Sequence, residues 1–579
     1  MKRIFKLLKA TSLLAATALL VSACGGGGGT TTTAAAPSTM LSGTAAAGAP
    51  IIGSVTIKDS TTPTALTKTV PIAADGNYTV DVTGLKAPYM VRADGYVGGN
   101  QYHLYSAGTS ADVGGTINIT PLTDLIVANI AGSVAKTYFD NGSFSGLTAA
   151  QLTEQSDALK AKLLPILTAV GVSGSIDLLR ASFSTDHTGL DAVLDVVKVT
   201  TNTTTNVATI TNIITQQQMT SNITTGAYTG ALTDTAGVAT GVTDIQAISA
   251  GFKRFSDLFA ISLPSDTNAT LLSLFDSATF MNEGQNLTAF LSDLTTDPTM
   301  IGISFANISI QSMDTTTGTA VAAFDVIQSG KVSKDDGPRP FHMIKKNSVW
   351  YMQGDLRIAN VQVRPLAQYQ PYNTPSSMNT GLNINIEDRG GKGITSAVVT
   401  GKGLTAPITL TKQINNSWFT IQGNNNGNQY FMNDTQIAAI ADSGEVYTVQ
   451  LYIGSTLAAT YTEKLIKRPY LNTELTAAMF PAITAPTPTA LRAFNGGTIT
   501  VSWTLPAGLT SDWLQLQLSD ATFSKTAMAE YSPLPAETSH AFNLPATTVA
   551  SGPFTPTNRN LWLDARDAYG RQLNVGIWQ

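Results

Sequence analysis

The 579-residue sequence holds a single cysteine, Cys24. No disulfide can form within the chain, and zinc or haem signatures built on Cys-x-x-Cys are excluded. Histidine is almost as scarce. His103, His187, His342 and His540 are the only four, they fall in different parts of the chain, and no His-Glu-x-x-His occurs. Each is expected to be an ordinary surface or packed residue. Charged residues make up only 13%, and no Lys/Arg cluster with interleaved aromatics appears, which argues against a nucleic-acid partner. A phosphate loop of Gly-x-x-x-x-Gly-Lys-Ser/Thr form and an EF-hand loop are also missing. No stretch is long and apolar enough to cross ~30 Å of hydrocarbon, which takes about 20 residues.

Two chance likenesses to catalytic motifs fail on inspection. Gly142-Ser143-Phe144-Ser145-Gly146 has Phe where a nucleophile elbow needs Ser. Ser133-Val134-Ala135-Lys136 matches Ser-x-x-Lys, but the Ser-Asp-Asn and Lys-Thr-Gly elements that accompany it in penicillin-binding enzymes are missing.

What is present begins at the N-terminus. Lys2, Arg3, Lys6 and Lys9 precede an apolar run over 13–21 and the segment Leu20-Val21-Ser22-Ala23-Cys24. A basic region, a short apolar region and small residues before a cut describe a secretory signal over 1–23. With cysteine next, the pattern resembles the bacterial lipobox. That resemblance implies cleavage after Ala23, lipid transfer to the Cys24 thiol, and membrane anchoring by acyl chains. Gly25 after the cysteine is similar to lipoproteins sorted to the outer membrane, with either face of that membrane open to the body. Residues 24–40, rich in Gly, Thr and Ala, read as a flexible tether of roughly 20–25 Å reach. Removal of the four basic signal residues from the 34 present leaves 30 against 39 acidic, a net charge near −9.

The length predicts several domains. Residues 41–120 hold Gly48-Ala49-Pro50-Ile51, Val55-Thr56-Ile57-Lys58-Asp59 and Asp75-Gly76-Asn77-Tyr78-Thr79-Val80. Short alternating runs between turn residues predict a small antiparallel sandwich, with Asp75-Gly76 as a hairpin turn. The order resembles the carboxypeptidase regulatory-like (transthyretin-like) sandwich, which implies a structural module. Residues 121–241 read as a helical segment with a β-hairpin. Leu122, Leu125, Ile126 and Ile130 share one face. Thr148 and Gln151 form a capping box ahead of Leu152, Leu159, Leu163 and Ile166, with a kink expected at Pro165. The pattern turns to β near Val193, a hairpin flanks 201–206, and 220–241 reads as a linker.

Residues 242–370 open on a helical face of Ile245, Ile248, Phe252, Phe255 and Phe259. Helix is expected again at 271–275 and 287–294, then strands at 303–310, 319–327, 341–345 and 349–353. Helices followed by a curved sheet ending in Lys346-Asn347-Ser348-Val349-Trp350-Tyr351-Met352-Gln353-Gly354-Asp355 resemble the nuclear transport factor 2-like (SnoaL-like) cone. That fold often encloses an apolar pocket, so His342, Trp350, Tyr351 and Asp355 are the candidate pocket residues. Alternation places His342 with Ile344, and Trp350 with Met352.

In 371–476, Leu382, Ile384 and Ile386 alternate, as do Tyr447, Val449, Leu451 and Ile453, predicting an immunoglobulin-like sandwich. Its loop Asp388-Arg389-Gly390-Gly391-Lys392-Gly393 is a hairpin connection or an anion nest. Residues 486–579 carry a strand ending at Trp503, and Leu561, Leu563 and Ala565 before Asp567-Ala568-Tyr569-Gly570. This resembles a fibronectin type III domain, although no tyrosine stands at the usual corner position.

The sequence thus predicts a multidomain, mainly β chain of immunoglobulin-like and transthyretin-like sandwiches, with a helical segment and one α+β cone domain. No catalytic residue, metal or cofactor is expected. The function expected is that of a non-enzymatic, lipid-anchored cell-envelope protein, a structural, adhesive or scaffold module meeting a protein or glycan partner. The alternative is a small-molecule or glycan-binding lipoprotein that uses the cone pocket or a sandwich face.

Overall fold

The computed structural model describes residues 39–579, apart from 142, 329–330, 333–339, 374, 414–416, 425–426, 443, 523, 535–536 and 545–553. The signal sequence, Ala23, Cys24 and nearly all of the tether lie outside the described residues. Among the described residues no helix is long and apolar enough to cross a membrane.

The first module is a β-sandwich. Strands Met40–Thr44 and Asn77–Asp81 pair antiparallel and face a four-stranded sheet ordered Thr67–Pro71, Ile52–Lys58, Tyr89–Val97, Asn100–Gly108. Leu41, Ile57, Tyr78, Val91 and Ile119 fill the space between them. The Asp75-Gly76 turn exists, with Gly76 at φ +84°, but it is not a hairpin turn. It carries the chain from one sheet to the other, because its flanking strands pair elsewhere.

The same sheet is apolar on its other face as well. Met90, Tyr105 and Ala107 pack with the helices that follow. Helix Pro121–Ala131 starts at Thr120, whose hydroxyl accepts from the Thr123 amide, and Pro121 sits where a missing N–H costs nothing. Helix Ala149–Ala169 begins on the expected Thr148–Gln151 capping box and runs through Pro165. Helix Gly189–Val196 includes Val193, so the turn to β comes slightly later than predicted. The hairpin Val197–Asn202/Val207–Asn212 follows, and Gln218–Asn222 and Ala227–Thr229 extend it to four strands. The stretch 220–241 is therefore not a linker. It supplies these strands and the first turn of helix Val238–Phe259.

That helix buries Ile245, Ile248, Phe252, Phe255 and Phe259, as its periodicity predicts. It lies against the sheet Ser304–Asp314, Thr319–Gln328, Phe341–Lys346, Val349–Gly354. β-Bulges interrupt this sheet between Ala306 and Ser309, between Ile310 and Ser312, and at His342/Met343. Each bulge bends its strand, which is how the sheet wraps the helix. One continuous apolar core joins this cone to the helical segment.

Strand Asn360–Gln370 does not belong to the cone. It pairs antiparallel with Ser377–Glu387 and parallel with Gln572–Trp578. The result is a seven-stranded sheet running through both C-terminal sandwiches, in the order Gln429–Phe431, Ser377–Glu387, Asn360–Gln370, Gln572–Trp578, Asn558–Arg566, Thr510–Ser519, Thr526–Tyr531. One part packs on the five-stranded sheet of Ser396–Thr400, Ile408–Lys412, Phe419–Ile421, Val446–Ile453 and Thr456–Lys464, around Leu382, Ile384, Tyr447 and Val449. The partner strand Thr456–Lys464 bulges opposite Leu451/Tyr452, and Ile453, at the end of its strand, stands exposed rather than buried. The other part packs on Ala482–Ala485, Gly497–Thr504 and Ser539–Leu544. These pairings, three strands against four, are the fibronectin type III arrangement, with Trp503 buried at the end of its second strand.

Candidate functional site

A cleft of about 810 Å³ opens where the first sandwich, the cone and the C-terminal sandwich meet. Its apolar wall belongs to the cone. Phe255 comes from the long helix, Phe290 and Leu294 from helix Leu287–Thr296, and Phe305, Phe324 and Phe341 from successive sheet strands. The rings are in contact: Phe255–Phe305 centroids are 5.0 Å apart, Phe305–Phe324 4.7 Å and Phe324–Phe341 5.2 Å. Phe290, Phe305, Phe324 and Phe341 are only half-buried, which leaves aromatic surface accessible inside a concavity.

The polar wall comes from the first sandwich. Asp94 and His103 are cross-strand partners, and Arg92 lies two residues before Asp94 on the same face. The Asp94 carboxylate takes His103 Nδ1 at 2.6 Å on one oxygen and Arg92 Nε at 2.6 Å on the other. Burial pushes the Asp94 carboxyl up, but the bond to His103 and the Arg92 charge outweigh it and hold it below the ordinary range. The guanidinium of Arg92 also lies over the Phe139 ring at 4.8 Å. At the far rim Tyr96 donates to the carbonyl of Ala568 at 2.9 Å, beside Tyr569. Burial, with Tyr569 and Asp567 nearby, pushes the Tyr96 phenol up to about 12. An apolar wall facing a few fixed polar groups, at this volume, suits a small molecule with an apolar body and a polar end.

Of the four residues singled out in the sequence, the structure brings only Asp355 to this cleft. Its Oδ1 accepts from the amides of Glu283 and Arg357, each at 2.9 Å, so it ties loops together. Trp350 is buried in the main core with Met343 and Met352. Tyr351 is half-buried opposite Ile344, and His342 is half-buried opposite Val321, where burial pushes its imidazole down. The phenylalanines that do face the cleft come from two helices and three strands, and no local motif unites them.

The loop over 388–393, expected to be a hairpin connection with an anion nest as the alternative, is filled by its own carboxylate. Asp388 accepts from the amides of Lys392 (2.6 Å), Gly393 (3.1 Å) and Ile394 (3.2 Å), and from Lys412 Nζ at 2.8 Å. Of the other motif residues, Ser133 lies in the turn between two helices, and Lys136 pairs with Asp140.

A second polar cluster is buried away from the cleft. His187 Nδ1 lies 2.9 Å from Asp195 Oδ2, and the His187 amide donates to Asp191 Oδ2 at 2.8 Å. Asp191 and Asp195 are 0% and 1% exposed. One donor atom from each of the three residues lies within 4.8 Å of the others. The sequence signal was present as His-x-x-x-Asp-x-x-x-Asp over 187–195, a spacing that puts all three on one side of a helix start. The wide scatter of the four histidines drew attention away from it.

No family model matches the chain, and no curated protein matches it. Solved structures give distant likenesses. The FN1–FN3 domains of chicken CNTN1 are similar at 9% identity and TM-score 0.13, covering 46% of this chain and 96% of that one. A tetra-tandem repeat from the extending region of a large adhesion protein is similar at 9% identity and TM-score 0.13, covering 93% and 98%. At such scores neither carries an argument, and the sandwich assignments rest on the strand pairings.

Proposed function

We propose that this chain is a non-enzymatic envelope protein, lipid-anchored through Cys24, that binds a small amphipathic molecule in the cleft between its first sandwich and its cone. The observation that carries the reading is the row of half-buried phenylalanines facing the Asp94–Arg92–His103 group across that cleft. Apolar surface left accessible in a concavity costs free energy that an apolar ligand returns, at about 25 cal/mol per Å² covered. The polar wall would orient the ligand's polar end. The sandwiches serve as the scaffold that fixes the two walls.

The test is saturable binding of the fluorescent probe 1-anilinonaphthalene-8-sulfonate to the purified full chain in detergent. One site per chain is expected. Ser54→Trp, on the sandwich wall, should block it and Phe324→Ala should weaken it, with thermal unfolding still cooperative. Probe binding that ignores both substitutions would refute the cleft as the site.

A further inference from the structure

We propose that His187, Asp191 and Asp195 form a binding site for one divalent transition cation of the Zn²⁺ or Mn²⁺ class. The sequence alone led to the expectation of no metal; the juxtaposition in the fold changes that.

Two aspartates one helical turn apart repel each other even in water. Here both are withdrawn from solvent, and each keeps one oxygen, Asp191 Oδ1 and Asp195 Oδ1, without a hydrogen-bond partner. Buried carboxylate oxygens left this way are unfavourable unless something positive meets them. His187 adds a nitrogen donor at 2.9 Å from Asp195 Oδ2. Ligands bound at about 2.0–2.2 Å from one ion stand roughly 3 Å from each other, so this spacing is already that of neighbouring ligands.

The imidazole is held from behind. Its Nε2 lies 3.0 Å from Ser249 Oγ, and Gln246 Nε2 donates to the His187 carbonyl at 3.0 Å, both from helix Val238–Phe259. In the tautomer that donates Nε2–H to Ser249, the Nδ1 lone pair faces the Asp195 carboxylate. With the proton on Nδ1 instead, the same contact is a hydrogen bond, and a bound cation takes the place of that proton. A second group fixing the far nitrogen is the usual support for a metal-binding histidine. One imidazole with two carboxylates suits Zn²⁺ or Mn²⁺, whereas Cu⁺ favours sulfur and Ca²⁺ favours all-oxygen sites.

Lys198 supplies a cation already near. Its ammonium is turned to Ser309 Oγ at 3.4 Å, and burial pushes it down while Asp195 and Asp191 hold it up. If Lys198 were the sole counter-ion, added metal would find no site. If the metal belongs there, Lys198 opposes it.

The experiment uses the full chain in detergent, stripped with EDTA and titrated calorimetrically with ZnCl₂ or MnCl₂ alone. One equivalent is expected, with a rise in Tm. Asp191→Asn with Asp195→Asn should weaken binding by at least about 100-fold, Ser249→Ala by about 10- to 100-fold, and Lys198→Met should strengthen it. His540→Gln, at a histidine in the C-terminal sandwich that belongs neither to this cluster nor to the cleft, should leave metal uptake unchanged. Should the double variant lose its circular dichroism signal, Co²⁺ absorption on the unaltered chain decides. Visible bands displaced by Zn²⁺ support the site. No stoichiometric uptake, or uptake kept in the double variant, overturns it. The cluster does not line the cleft, so its failure would leave the ligand proposal standing.

Discussion

The carboxylate of Asp325 receives the backbone amide of Gly99 at 2.9 Å, and with it the amide of Gly98 at 3.2 Å. An acid on the cone thereby holds the tip of a hairpin from the first sandwich. Both glycines have positive φ, +55° and +75°, the pairing a two-residue hairpin turn needs. A Cβ on Gly98 would stand 2.9 Å from the Ala323 carbonyl carbon. Asp325→Ala should cost about 2–3 kcal/mol by stranding two amides, and Gly98→Ala should be destabilising through both strain and clash. Urea denaturation of each variant checks this. An unchanged midpoint in Asp325→Ala would mean that the hairpin is held by packing alone.

Asp124 makes the stability depend on pH. Burial pushes its carboxyl up to about 7, although the Tyr105 amide at 3.1 Å holds it down. Its folded pKa exceeds the unfolded value of about 3.9, so its stabilising contribution is complete below that value and is lost as pH rises through 7. Asp124→Asn keeps an acceptor for Tyr105 and removes the titration. The variant should exceed the parent in Tm at pH 8, with the gap narrowing as pH falls and closing near pH 4. A constant gap across that range would contradict the assignment.

Asp388 should prove structural. Asp388→Ala strands three amides and Lys412 and is expected to cost about 2–4 kcal/mol. Sulfate should recover part of that loss by entering the vacated loop, as a salt titration of Tm against chloride would reveal.

Trp503→Ala removes the largest fully buried side chain of the C-terminal sandwich and should cost about 3–5 kcal/mol.

The proposed lipid anchor predicts a clean partition. Cys24→Ala should move the protein from the membrane to the soluble fraction of expressing cells. Protease treatment of intact cells then reports which membrane face carries the body. Retention of Cys24→Ala in the membrane would dismiss the anchor.

Local patterns carried much of the fold. The phenylalanine stripe on Val238–Phe259, the Thr148 capping box and the four cone strands were all legible, because each is written within one or two turns or one strand. Asp75-Gly76 was legible as a turn but not as a crossing between sheets, since that depends on where the flanking strands find partners. The cleft was out of reach for the same reason: Phe255, Phe305 and Phe341 meet only after the bulged sheet has curled. Trp350 and Tyr351 drew notice through a motif, and Trp350 serves the core.

The parallel pairing of Leu366 with Gln572 and of Tyr369 with Val575 has a kinetic meaning. Contacts between positions so distant along the chain form slowly, since a long loop must close before they reward it. Until strand Gln572–Trp578 arrives, Asn360–Gln370 and Asn558–Arg566 each present an unpaired edge, the kind that recruits strands from other chains. The joining of the two C-terminal sandwiches is therefore expected to come late, with those open edges most available to other chains before it.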